Sequence, residues 1–135
     1  MRLILSGGGT GGHVYPAIAI ANKIKEYHPD AEILFVGTRA GIEAEIVPKY
    51  GYKIEYIDVQ GFRRKIDFDN VKRLIKFLKS LSDSKRIIKK FKPDLVIGTG
   101  GYVSGSVVLK ASKMGIKTCI HEQNSFPGMT NKMLS

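Results

Sequence analysis

His13 stands directly behind a stretch in which five of the six residues from Gly7 to Gly12 are glycine. Backbone without side chains lets a bulky polar group approach the main chain closely. A histidine at the edge of such a loop is placed to touch that group and to exchange a proton near neutral pH. A second glycine cluster, Gly98-Thr99-Gly100-Gly101, runs into Tyr102-Val103-Ser104-Gly105, where Tyr102 is read either as leaning over a substrate or as packing inward. A third polar group, His121-Glu122-Gln123-Asn124, offers either a His-Glu pair in which the carboxylate orients an imidazole acting as general base, or a polar network that fixes its loop. The histidines lack metal-ligand spacing, so no protein-bound metal is expected, and no cofactor is called for. Neither glycine cluster is followed by Gly-Lys-Ser/Thr, which excludes a Walker P-loop. Gly7-x-Gly9-x-x-Gly12 formally satisfies the dinucleotide fingerprint. The following Phe35-Val36-Gly37-Thr38-Arg39, however, carries no acid for a ribose, leaving only an NADP reading with Arg39 on the 2′-phosphate.

Elements that could position these groups are legible as alternating apolar runs and helical patterns. Strand-like runs recur at Leu3–Leu5, Ile33–Val36, Ile54–Val59, Leu95–Ile97 and Thr118–Ile120. Helical patterns lie between them at Pro16–Tyr27, Gly41–Tyr50, Asp69–Phe91 and Ser104–Met114, with Pro16 expected in the first turn of its helix. This alternation predicts an α/β fold, a Rossmann-like doubly wound parallel sheet. Right-handed crossovers then give the strand order 3-2-1-4-5, in which strands 1 and 4 are neighbours. Ligands of such sheets bind beyond the carboxyl ends of the strands at that switch point, so both glycine clusters should meet there. The positive end of the first helix should favour an anion such as a phosphate. In the third helix Val71, Leu74, Ile75 and Leu78 are read as the core stripe, with Phe77 off it beside the lysines. Ser82-Asp83-Ser84 is read as a break.

The chain has 135 residues, 43% of them hydrophobic and 25% charged, which suits one domain with a real core. No run approaches the roughly 20 apolar residues of a membrane span. The lone Cys119 points to a reducing, cytoplasmic setting and is expected as a small core residue. The net charge of +10 is placed unevenly. From Phe62 to Lys92 there are twelve basic residues, among them Lys72, Arg73, Lys76 and Lys79, against three acids. Such a face implies an anionic partner: a membrane surface, a phosphorylated substrate or nucleic acid. A nucleic-acid-binding Rossmann module rests on this charge alone, since no interleaved aromatics or recognised binding motif accompany it.

Taken together, these motifs resemble the amino-terminal domain of the MurG family of bacterial glycosyltransferases. The resemblance rests on Gly8-Gly9-Thr10-Gly11-Gly12-His13 with Pro16-Ala17, Lys92-Pro93-Asp94 leading to Gly100-Gly101-Tyr102-Val103-Ser104-Gly105, and His121-Glu122-Gln123-Asn124 with Thr130-Asn131. Ser106 departs from the proline common in the family. The resemblance implies one half of a GT-B architecture, with residues 1–135 as the acceptor- and membrane-side domain and the carboxyl-terminal UDP-GlcNAc domain expected beyond Ser135. It implies inverting transfer of N-acetylglucosamine from UDP-N-acetylglucosamine to the MurNAc 4-hydroxyl of lipid I, the undecaprenyl-diphosphate-linked acceptor. This half alone is expected to be inactive. By resemblance His13 and Glu122 are candidate bases, and Thr10, Gly11, Gly12 and Asn124 contact the donor. Gly8, Gly9, Gly100, Gly101, Tyr102 and Ser104 would cradle the acceptor diphosphate. Lys72, Arg73, Ile75, Lys76, Phe77 and Lys79 would contact an anionic membrane, placing the protein peripherally on the cytoplasmic face of the cell membrane, with no nucleic-acid partner. Another GT-B lipid glycosyltransferase, such as one acting on diacylglycerol, is the alternative.

Overall fold

The computed structural model describes residues 1–59 and 68–121. Its elements alternate in chain order: β1 (Arg2–Gly7), α1 (Gly11–Tyr27), β2 (Glu32–Gly37), α2 (Glu43–Lys49), β3 (Lys53–Tyr56), α3 (Phe68–Phe91), β4 (Leu95–Gly100), α4 (Tyr102–Lys113) and β5 (Lys117–Ile120). All strand pairings are parallel, in the order β3-β2-β1-β4-β5. The expected switch point between β1 and β4 is therefore present.

The central strands read as unbroken apolar runs because each side of the sheet is covered. Successive side chains of β1 and β2 go to opposite faces. Leu3, Leu5, Ile33 and Phe35 pack with Val14, Ala17, Ile18 and Ala21 of α1 and Val47 of α2. Ile4, Leu34 and Val36 pack instead with Ile87 and Ile88 of α3 and Val103, Val107, Val108 and Ala111 of α4. Two cores back to back clamp the sheet, and the strand ends are held at a fixed height.

Three expectations need correction. α3 is continuous through Ser82-Asp83-Ser84. Its inward face runs through Ser80, Ser84, Ile87 and Ile88, spaced four, three and one apart on a single helical stripe. Of the residues read as a break, Ser84 is buried and its hydroxyl donates back to the Ser80 carbonyl at 2.7 Å. The small side chain of Ser80, one turn earlier, admits α4: Ser80 Oγ lies 2.8 Å from Ser106 Oγ in a buried contact. In consequence the predicted core stripe faces outward, with Val71, Leu74, Ile75 and Leu78 between 47% and 61% exposed, while Phe77 is half-buried. The helix stops where Lys92 takes a left-handed φ of 55° and its N–H donates to the Ile88 carbonyl at 2.8 Å, with Pro93 next. Cys119 is exposed rather than in the core. It lies on β5, the last strand of the sheet, where Lys117 and Thr118 are exposed as well.

Candidate functional site

The two glycine clusters are joined by main-chain hydrogen bonding. The Gly8 N–H donates to the Gly100 carbonyl at 3.2 Å. A register shift makes this possible: Ser6 pairs with Gly98, but Gly7 pairs with Gly100, leaving Thr99 as the extra residue. Its hydroxyl donates to the His13 carbonyl at 2.6 Å, so the end of β4 is tied to the first turn of α1. Glycine is required at this junction. Gly101 has φ 92° and ψ 167°, a region reached essentially by glycine alone. A Cβ there would lie 2.5 Å from the Gly8 carbonyl oxygen.

His13 occupies the seam. A Cβ on Gly100 would lie 2.4 Å from His13 Cδ2, so the ring is packed against the second glycine cluster. His13 Nδ1 lies 2.9 Å from the Gly8 carbonyl oxygen. A carbonyl can only accept, so Nδ1 carries the proton of the neutral ring and Nε2 keeps its lone pair. Among the described residues Nε2 has no hydrogen-bond partner, which leaves it available to take a proton.

Above this seam is a concavity of about 250 Å³, lined by Gly8, Gly9, Thr10, His13, Thr38, Glu43, Val59, Gly101, Tyr102 and Val103. Thr10 and Gly101 are the N-caps of α1 and α4, so two helix N-termini open onto one pocket. Neither cap makes a side-chain hydrogen bond to its helix, and neither first turn carries an acid. Two positive dipole ends without an acid in either first turn make the rim of this pocket attractive to an anion. α1 begins at Gly11, so Pro16 lies in its second turn, not its first. There its missing N–H is the one that would have reached the Gly12 carbonyl.

Predicted positions sort clearly. Gly8, Gly9, Thr10, His13, Gly101 and Tyr102 line the pocket, and Tyr102 is 47% exposed at its edge. Gly11 and Gly12 form the adjoining N-terminal turn of α1. Gly100 is buried beneath His13. Ser104 was expected on the diphosphate, but it is wholly buried, with its hydroxyl against Gly98 on the sheet side of α4. It follows Gly101 by three residues, and that step turns it inward. His121 is exposed at the end of β5, and its N–H donates to the Gly98 carbonyl at 2.8 Å. Glu122 and Asn124 lie outside the described residues. Arg39, considered for a 2′-phosphate, has its guanidinium 4.5 Å above the Tyr56 ring.

Glu43 was not anticipated. It is 1% exposed at the start of α2, yet it lines the pocket floor. Its Oε1 accepts from the Gly9 N–H at 3.1 Å, and Oε2 accepts from the Thr38 N–H at 2.9 Å and the Thr38 hydroxyl at 3.2 Å. The available signal was its spacing: Glu43 precedes the core residue Val47 by one helical turn, putting an acid on a buried stripe. Burial also shifts one titration, pushing the Tyr52 phenol above its ordinary value; its hydroxyl donates to Asn22 Oδ1 at 2.6 Å.

Comparison with known proteins adds a family to this geometry. The profile of the glycosyltransferase family 28 N-terminal domain matches residues 3–135. The chain is 70% identical, over all 135 residues, to the UDP-N-acetylglucosamine–N-acetylmuramyl-(pentapeptide) pyrophosphoryl-undecaprenol N-acetylglucosamine transferase of Clostridioides difficile, covering 33% of that protein. It is 63% identical over 134 residues to the enzyme of the same name from Alkaliphilus oremlandii, covering 37% of it. It thus spans about a third of the length of these curated relatives. Among solved structures, MurG of Acinetobacter baumannii superposes with a TM-score of 0.85 at 35% identity, over 98% of this chain and 38% of that one. UDP-GlcNAc 2-epimerase of Neisseria meningitidis, at 14% identity and a TM-score of 0.58 over 89% of this chain and 32% of that one, shares the fold alone.

Proposed function

From a chain that belongs to the glycosyltransferase family 28 N-terminal domains, we propose the acceptor-side domain of an enzyme that moves N-acetylglucosamine from UDP-N-acetylglucosamine to the MurNAc 4-hydroxyl of lipid I. The relatives' names supply the reaction. The observation that carries the reading in this chain is one pocket onto which two helix N-termini open, with a histidine of fixed tautomer between them. The acceptor's diphosphate sits over the Gly8-Gly9 bend and Gly101, at the first turns of α1 and α4, where the positive ends of the two helix dipoles offset its charge. The Gly8 and Gly9 N–H groups themselves are engaged by the Gly100 carbonyl and Glu43. His13 Nε2 accepts the proton of the attacking hydroxyl. The oxygen forms its bond to the anomeric carbon as the bond to UDP breaks on the opposite face, inverting that centre. General-base help of this kind is worth about 10²–10⁴ in rate. The family resemblance assigns Thr10, Gly11, Gly12 and Asn124 to the donor and makes Glu122 a second candidate base. Stabilising the departing UDP falls to a carboxyl-terminal domain beyond Ser135.

The outward stripe of α3 provides the membrane contact. Val71, Leu74, Ile75 and Leu78 are exposed among Lys72 and Lys79, while Arg73, Lys76 and Phe77 are half-buried at its margin. Each lysine or arginine near anionic lipid contributes about 1 kcal/mol, and the apolar side chains add burial in the interface. No described helix is long and apolar enough to cross a bilayer. In this reading the surface rests on the cytoplasmic leaflet, as the family resemblance implies. Transfer of labelled N-acetylglucosamine by the chain joined to the remainder its relatives carry, offered lipid I or diacylglycerol, tests the reading. Product with lipid I alone supports it, and product with diacylglycerol alone overturns it.

A further inference from the structure

Among the described residues Glu43 is the one charged side chain in the buried set. Burying a carboxylate is costly unless hydrogen bonds compensate, and three donors from two segments do so here. The surrounding backbone is shaped to receive it. A Cβ on Gly8 would lie 2.1 Å from its Oε2, one on Gly37 2.5 Å from its Cγ and one on Gly41 1.9 Å from its Oε1. Glycines on three sides, drawn from the ends of β1 and β2 and the turn into α2, leave a slot of carboxylate shape. No described cation pairs with it, so its charge acts on the pocket floor.

We propose that Glu43 is a positioning residue for the sugar transfer read above, a built-in anion that occupies the Gly9 N–H. Gly9 has φ 89° and a Cβ there would meet nothing within 4 Å, so the bend is held by hydrogen bonds to its peptide unit and not by packing. His13 Nδ1 holds the carbonyl side at Gly8, and the carboxylate holds the N–H side at Gly9. It also removes one N–H from the set a ligand can use. A diphosphate settling deep between the first glycine loop and α2 meets a like charge. The substrate's phosphates are confined to the α1 and α4 ends, beside His13, and the acceptor hydroxyl is brought to Nε2. The inference rests on the sugar-transfer reading for its consequence, but the hold on Gly9 is independent of it.

Glu43→Gln keeps the shape and replaces one acceptor with a donor. Thr38 presents two donors to one oxygen, so the amide oxygen stays there and the NH₂ confronts the Gly9 N–H. In this chain, hydrogen exchange of the Gly9 amide should accelerate roughly tenfold or more while core amides of β1 keep their protection. In the enzyme carrying the relatives' remaining length, the KM for lipid I should rise roughly tenfold with the KM for UDP-N-acetylglucosamine unchanged. Val47→Ala loosens the same helix from the core without touching the loop, and should leave both KM values in place. Unchanged Gly9 exchange in Glu43→Gln overturns the hold. An equal rise in acceptor KM for Val47→Ala, or none for Glu43→Gln, overturns the positioning role. A parent enzyme that transfers no sugar to lipid I refutes the activity reading instead, and Gly9 exchange still decides the hold.

Discussion

Gly101→Ala should part the junction of the two glycine clusters. The residue's φ of 92° and ψ of 167° cost a non-glycine residue about 1–3 kcal/mol. The new Cβ would also stand 2.5 Å from the Gly8 carbonyl oxygen, which is backbone and cannot rotate away. Relief requires that the loops part by several tenths of an ångström, an overpacking cost of about 1–3 kcal/mol. Together the two effects lower stability by about 2–6 kcal/mol, and about 3 °C per kcal/mol for a chain of this size puts the Tm loss at roughly 6–18 °C. Gly9→Ala is the matched control, because Gly9 also has positive φ but nothing within 4 Å of its Cβ position. It should bear the backbone cost alone, about 1–2 kcal/mol. Thermal unfolding followed by circular dichroism measures both variants on the same chain. A Tm for Gly101→Ala equal to that of Gly9→Ala would show that the loops are not in contact, and the junction argument would fall.

His13→Gln should lower kcat by about 10²–10⁴ with little change in either KM, read from steady-state transfer to lipid I. Thr99→Val removes the hydroxyl that reaches the His13 carbonyl and should cost about 1 kcal/mol of stability in urea unfolding. Ile88→Ala, at a position 1% exposed beneath the sheet, should cost about 2–5 kcal/mol in the same measurement. Charge reversal at Lys72 or Lys79, on the outward stripe of α3, should weaken retention on anionic vesicles by about fivefold or more each, an effect that salt erases.

The strand order, the switch point and the meeting of the glycine clusters were legible because they follow from the alternation of apolar runs with helices and from the handedness of crossovers. Boundaries were less so. α1 starts five residues before Pro16 because the glycines of the loop, Gly11 and Gly12, are themselves helical. The phase of α3 was misread because Val71, Leu74, Ile75 and Leu78 make a better apolar stripe than Ser80, Ser84, Ile87 and Ile88. Periodicity measures apolarity and cannot say which side meets the protein, and here the outward stripe is the more apolar one. Glu43 escaped because its hydrogen bonds reach Gly9, thirty-four residues away. Only the adjacency of β1 and β2 brings those residues together. Ser104 was assigned by its motif, whose spacing is that of one face of a helix that meets the sheet rather than the pocket.

The account stands on both glycine clusters gripping one diphosphate. The direct measurement is an amide chemical-shift titration of this chain with inorganic pyrophosphate. The Gly8, Gly9 and Gly11–His13 amides should shift together with those of Gly101 and Tyr102, along a single binding curve. Shifts confined to the basic residues of α3, or to one cluster without the other, would contradict it.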